Sequence, residues 1–294
     1  MKYITISIIV IALGIGGVMV FSGRPKELPA PVAIPSTPIQ TPEVIPVEPL
    51  RSSGPFYLST LGENPGAELT ALVGPANVAT VLALNRLDEK HMSKGMTVVV
   101  PASFDDTEAF ESFPLVITEL KEVPKIMLVS QNIQAFALYE YGERLRSGPV
   151  STGKKSTPSP SKLYFTNWKG KLVTSSIDDE WIMPWYFNLD NKEGISLHQY
   201  DLPGYPASHA CVRMYEWDAK FIYDWADQWK ISDDGETVLA NGTPVLMFGE
   251  YAYGTTAPWK NLPENKDAIK ITDDELTKVL APILPTIVTT REGN

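Results

Sequence analysis

Ser208-His209-Ala210-Cys211-Val212-Arg213-Met214 contains the only cysteine of the chain, and another histidine, His198, lies thirteen positions before it. Residues 3–21, YITISIIVIALGIGGVMVF, carry no charge, which predicts export or membrane insertion and puts the thiol outside the cytoplasm. An exported chain with one cysteine has no partner for an internal disulfide, so Cys211 is a candidate reactive thiol. A thiol flanked by imidazole is the arrangement that generates a thiolate at neutral pH. The residues alone therefore point to cysteine-based acyl transfer.

Working outward from this run, apolar stretches alternate with short polar turns. Ile126 to Val129 leads through Gln131-Asn132 into Ala135 to Tyr139, and a turn at Gly142 precedes Arg144 to Thr152. Such spacing predicts antiparallel hairpins. Leu163 to Thr166, Gly170 to Ser175 and Pro244 to Phe248 add strands. Helical spacing is clear over Asp218 to Gln228, where Phe221, Ile222, Trp225 and Ala226 share a face. Thr272-Asp273-Asp274-Glu275 reads as a capping box opening a short helix that ends near Pro282. The fold class expected is mainly β with one flanking helix.

The motif and its surroundings resemble the L,D-transpeptidase (YkuD-type) catalytic domain. SHACVRM is similar to that family's "SHGC(I/V)R(L/M)" signature, and Gly148 to Lys154 followed by Thr157-Pro158-Ser159-Pro160 is similar to its "pvstGk…tPtP" stretch. Ile195-Ser196-Leu197-His198 corresponds to its upstream histidine, Leu202 to Ala207 to the lead-in to the cysteine, and Gly242-Thr243-Pro244-Val245 to its closing strand. The resemblance implies that Cys211 attacks an acyl donor to give a thioester, with His198 as base. It implies that His209 orients or polarises the carbonyl, with the Cys211 amide as oxyanion donor. Arg213, Ser208 and Tyr200 are the candidate substrate-binding residues. Arg213 either pairs with a stem carboxylate or braces the loop through a buried ion pair, and Ser208 either touches substrate or bonds the loop.

The substrate so implied is the peptidoglycan stem, with 3→3 cross-linking as the reaction and carbapenems expected to acylate Cys211. D-amino acid exchange, lipoprotein attachment, L,D-carboxypeptidase-type hydrolysis, and a catalytically weak wall-binding scaffold stay open. No cofactor and no metal are implied. The chain departs from the family pattern in two places. Ala210 stands where the family has glycine, and Gln199-Tyr200 follow the upstream histidine. If the glycine position has positive φ, the Ala210 methyl adds strain there. The competing readings of Cys211 are a small buried hydrophobe and a zinc ligand with His198 and His209. Trp181, Trp185, Tyr186, Trp217 and Trp225 divide between core and the wall of a sugar–peptide groove.

The remaining chain organises around this domain, placed at 115–249. Residues 1–23 read as a membrane anchor, favoured over a cleaved signal peptide because no small-x-small cleavage site follows. Residues 24–55 hold nine prolines, a spacing that suits a semi-rigid tether reaching up to roughly 100 Å. Residues 56–103, with helical spacing over Pro65 to Leu72 and Ala76 to Leu84 and a closing Gly95 to Pro101 run, resemble a degenerate LysM module, whose family binds N-acetylglucosamine-containing glycans. The alternative is a structural helix–helix–strand cap. Residues 250–294 form a C-terminal extension. A net charge of −10 argues against a nucleic-acid partner. The expected location is the cell envelope, at the cytoplasmic membrane facing the wall or exported there.

Overall fold

The run Ile126-Met127-Leu128-Val129 is buried at every residue, which only a strand covered on both faces allows. The computed structural model describes residues 54–175 and 181–292. The anchor segment 1–23 and linker residues 24–53 lie outside these. Among the described residues no single helix is long and apolar enough to cross a membrane.

The chain opens with β1 (Phe56–Thr60), α1 (Pro65–Val73), α2 (Val78–Leu84) and β2 (Thr97–Pro101). Strands β3 (Ile126–Ser130), β4 (Ala135–Glu140), β5 (Glu143–Pro149), β6 (Leu163–Phe165) and β7 (Lys169–Thr174) follow. Then come β8 (Ile182–Asp190), β9 (Ile195–Gln199), β10 (Val212–Met214) and α3 (Glu216–Trp225). The chain closes with β11 (Lys230–Ile231), β12 (Val238–Ala240), β13 (Pro244–Phe248), α4 (Asp273–Leu280) and α5 (Leu284–Glu292).

Two sheets carry the architecture. A five-stranded sheet has the order β5-β4-β3-β13-β6, and a four-stranded sheet has the order β10-β9-β8-β7. The alternation of β3 divides the core in two. Met127 and Val129 pack on one side with Phe187, Leu197, Val212 and Ile222, between the sheets and α3. Ile126 and Leu128 pack on the other side with Phe56, Leu84, Val99, Trp259, Leu280 and Ile287. The second cluster joins residues from 56–103, from the β domain and from the C-terminal extension in one core.

The hairpins expected over 126–149 form as antiparallel pairs. The β4–β5 turn works because Tyr141 and Gly142 both take positive φ, 49° and 83°. A side chain at Gly142 would meet the Ile117 carbonyl 2.5 Å away, so glycine is required there. Thr272 caps α4, its hydroxyl accepting from the Glu275 N–H at 3.2 Å. Three features were not legible beforehand. Strand β1 pairs with β2 although its sequence carries no strand signal as clear as the closing one. Strand β13 runs parallel to β3, and β10 runs parallel to β9, amid otherwise antiparallel pairs. Helix α5 follows Pro282 where the reading ended the helical signal.

Arg86 ties residues 56–103 to the rest. Its backbone takes φ 59°, and its buried guanidinium donates to the carbonyls of Ile133, Ala83 and Leu84 at 2.9–3.1 Å. It also lies 5.2 Å from the Trp259 ring centre. Nearby, Asp88 accepts from the Leu202 N–H at 2.7 Å, and the Tyr215 hydroxyl donates to the Leu87 carbonyl.

Candidate active site

Strands β9 and β10 build the site by alternation. Ile195, Leu197, Val212 and Met214 enter the core, so Ser196, His198, Cys211 and Arg213 take the opposite face. The parallel register sets Arg213 beside His198 and, one step earlier, Cys211 beside Ser196. The Ser196 hydroxyl accordingly donates to Cys211 Sγ at 3.2 Å, and the thiol reaches the Gly194 carbonyl at 3.4 Å. Burial raises the Cys211 pKa above its ordinary value, against the opposing pull of Ser196 and Arg213.

His198 is 4% exposed. Its Nδ1 lies 2.9 Å from the Gln199 carbonyl oxygen. A carbonyl only accepts, so Nδ1 carries the proton and Nε2 keeps its lone pair. Burial lowers the His198 pKa to about 4, which leaves the ring neutral at physiological pH. The ring stacks on Tyr186 at 6.4 Å and meets Tyr200 edge-on at 5.9 Å.

His209 is held differently. Lys154 Nζ lies 2.9 Å from its Nε2. An ammonium only donates, so Nε2 accepts and the proton sits on Nδ1, which has no hydrogen-bond partner among the described residues. Burial first, and then the Lys154 and Arg213 charges, lower its pKa. His209 is therefore a neutral donor rather than a base.

A cavity of about 390 Å³ collects Cys211, His198, His209, Ser208, Arg213 and Tyr200, every site residue singled out in the sequence. Arg213 stacks over the Tyr200 ring at 4.4 Å, and among the described residues it has no carboxylate in ion-pair range. Ser208 is buried and donates to the Cys211 carbonyl, the loop-bonding alternative. Ala210 has φ +79°, so the methyl does occupy a left-handed position that favours glycine. Of the aromatics, Trp181 and Tyr186 line the cavity. Trp185, Trp217 and Trp225 pack elsewhere, against Glu216, Tyr215 and Glu140. Cys211, His198 and His209 do not gather as a metal-binding group among the described residues.

Ser196, Lys154 and Trp168 belong to the site without having been assigned a role in it. Ser196 had a usable signal, since it shares strand parity with His198. Lys154 closes the Gly148 to Lys154 stretch that resembles the family motif but carries no role there, and nothing in the local sequence of Trp168 points to Cys211.

The family model for the L,D-transpeptidase catalytic domain (YkuD) matches residues 124–247. No curated protein matches the chain. Among solved structures it is similar to an L,D-transpeptidase from Stackebrandtia nassauensis, at 24% identity and a TM-score of 0.36 over 45% of this chain and 58% of that one. An L,D-transpeptidase from Mycobacterium smegmatis is similar at 18% identity and a TM-score of 0.34, over 43% and 59%. L,D-transpeptidase 3 from Mycobacterium tuberculosis, solved with a faropenem-derived adduct, is similar at 17% identity and a TM-score of 0.33, over 43% and 60%. The likeness thus spans about three fifths of those proteins and under half of this chain. Over residues 124–247, with Cys211 and His198 inside the match, the chain carries a YkuD-type L,D-transpeptidase catalytic domain.

Proposed function

We propose that the chain is a cysteine-dependent acyltransferase acting on peptidoglycan tetrapeptide stems. One observation carries this reading. The lone thiol and a neutral imidazole whose Nε2 carries the lone pair share one cavity, inside a domain of a transpeptidase family. In the first half-reaction Nε2 of His198 takes the thiol proton as Sγ of Cys211 bonds to the acyl carbon. The tetrahedral oxyanion collapses, the bond to the terminal D-residue breaks, and its amine leaves with the proton from His198. In the second, an acceptor amine attacks the thioester while His198 takes its proton. The amide forms and the proton returns to Sγ. Arg213 is suited to a stem carboxylate, because its side chain lines the cavity with no carboxylate in ion-pair range among the described residues. His209 lines the same cavity, with its Nε2 taken by Lys154 and its Nδ1 buried.

Water in place of the amine gives L,D-carboxypeptidase-type hydrolysis by the same steps, so the acceptor defines the reaction. The segment limits follow the same reading: an anchor over 1–23, a tether over 24–55, a LysM-like glycan-binding module over 56–103, the catalytic head over 115–249 and an extension over 250–294. The antiparallel β1–β2 pair flanking two helices supports the module. The location proposed is the cell envelope.

The test is the chain lacking residues 1–53, incubated with tetrapeptide stems and followed by mass spectrometry. Expected products are a 3→3 dimer and a released D-residue, both absent in Cys211→Ala. Tripeptide alone would mark a hydrolase. No processing, and no covalent carbapenem adduct while the thiol stays reduced, would overturn the enzyme reading.

A further inference from the structure

The peptide bond that precedes the nucleophile is clamped from behind by one buried hydroxyl. Ser159 is 4% exposed. Its Oγ accepts from the Gly153 N–H at 2.9 Å, which directs the hydroxyl proton away from Gly153. That proton goes to the Ala210 carbonyl oxygen, 2.7 Å distant. The 210–211 peptide is trans, so its C=O and N–H point in opposite directions. Cys211 lines the cavity and Ser159 does not, so a carbonyl of Ala210 held toward Ser159 turns the Cys211 N–H away from Ser159.

The surrounding bonds keep the clamp in register. The Lys154 N–H donates to the Ser208 carbonyl at 2.9 Å, and the Ser208 N–H donates to the Thr152 carbonyl at 3.0 Å. Gly153 allows this close approach, because a Cβ there would meet the Thr157 carbonyl oxygen at 2.2 Å. The Tyr253 hydroxyl, from the C-terminal extension, donates to the Gly153 carbonyl at 2.6 Å. The positive φ of Ala210 belongs to the same geometry, since it swings this peptide plane relative to the one before it.

We infer that Ser159 is a positioning residue that aims the Cys211 amide at the developing oxyanion, with Tyr253 bracing it from the extension. This rests on the acyl-transfer reading of Cys211 and adds the residue that orients its oxyanion donor. Oxyanion stabilisation acts only where negative charge builds on a carbonyl oxygen. Displacement of iodide from iodoacetamide by the same thiolate builds no such charge, so the two reactions separate positioning from thiol reactivity.

The experiment compares two rates at Cys211 in the chain lacking residues 1–53, read by mass spectrometry. One is acylation by p-nitrophenyl acetate, in which Sγ bonds to the acetyl carbon and p-nitrophenolate leaves. The other is alkylation by iodoacetamide. In Ser159→Ala the acylation rate should fall about tenfold to hundredfold, with alkylation and its pH dependence unchanged. Ser159→Thr keeps a hydroxyl and should hold the wild-type ratio. Tyr253→Phe, at a part-exposed position, should give the same split at smaller size. It also serves as the test should Ser159→Ala fail to fold. Equal falls in both rates, or a wild-type ratio in Ser159→Ala and Tyr253→Phe, would overturn the inference. Stem peptides left untouched by a wild-type protein whose ester arm behaves as described would instead remove the peptidoglycan reading and leave Ser159 in its role.

Discussion

Alkylation of Cys211 followed across the pH range should rise once, on the alkaline side, with no reactive plateau near neutrality. Burial holds His198 at about 4 and pushes the thiol above its ordinary 9.0. The two shifts run in opposite directions, so moving the proton from thiol to imidazole is uphill. Attraction between the resulting charges returns part of this. The resting pair is therefore neutral thiol and neutral imidazole, and the thiolate arises only as the acyl carbon is attacked. The perturbation is His198→Gln, assayed by iodoacetamide alkylation and by stem-peptide turnover on the same preparation. Alkylation should keep its pH profile, while turnover falls by about a hundredfold or more with the loss of the base. A wild-type plateau of fast alkylation near pH 5 to 8 that vanishes in His198→Gln would refute this, because it would mark a preformed thiolate–imidazolium pair.

The same burial has a stability consequence. The folded His198 pKa lies below the unfolded 6.5, so its contribution is complete above about pH 6.5 and is lost as pH falls toward about 4. Relative to His198→Gln, wild type should lose about 3 kcal/mol over that window in denaturant titrations. Using the difference cancels Asp218, whose raised pKa of about 6 acts in the opposite direction. Ser196→Ala should raise the thiol pKa and move the alkylation rise to higher pH, since it removes a hydroxyl donor to Sγ; an unmoved profile would deny Ser196 that role. Arg86→Ala should cost about 3–5 kcal/mol in urea unfolding, because it strands the buried carbonyls of Ile133, Ala83 and Leu84; a loss under about 1 kcal/mol would sink the argument. Ala210→Gly should stay within about 1 kcal/mol of wild type, relief of left-handed strain being offset by backbone entropy. Ala210→Val should destabilise by more than about 2 kcal/mol.

The sequence made the hairpins legible because β3 to β5 and β13 alternate apolar runs with turn residues at hairpin spacing. It made Cys211, His198 and Arg213 legible because one motif and one upstream histidine carry them. Strands β8 to β10 were harder. Strand β10 is three residues long, and its parallel partner β9 is separated from it by a polar, proline-containing loop, so no local period announces the pair. Ser159 was visible as part of a motif but silent in role, since its partner Ala210 is fifty-one positions away. Arg86 read as part of a polar turn. Only the fold shows that its charge is buried against carbonyls and the Trp259 ring.

The core shared by Phe56, Leu84 and Val99 with Trp259, Leu280 and Ile287 has a consequence for when this protein can fold. Residues that leave the ribosome early must wait for partners roughly two hundred positions later, a long loop to close before any burial rewards it. Leu69, Val81 and Val98 can pack early beside the β1–β2 pair, but the face made by Phe56, Leu84 and Val99 stays uncovered until synthesis is nearly finished.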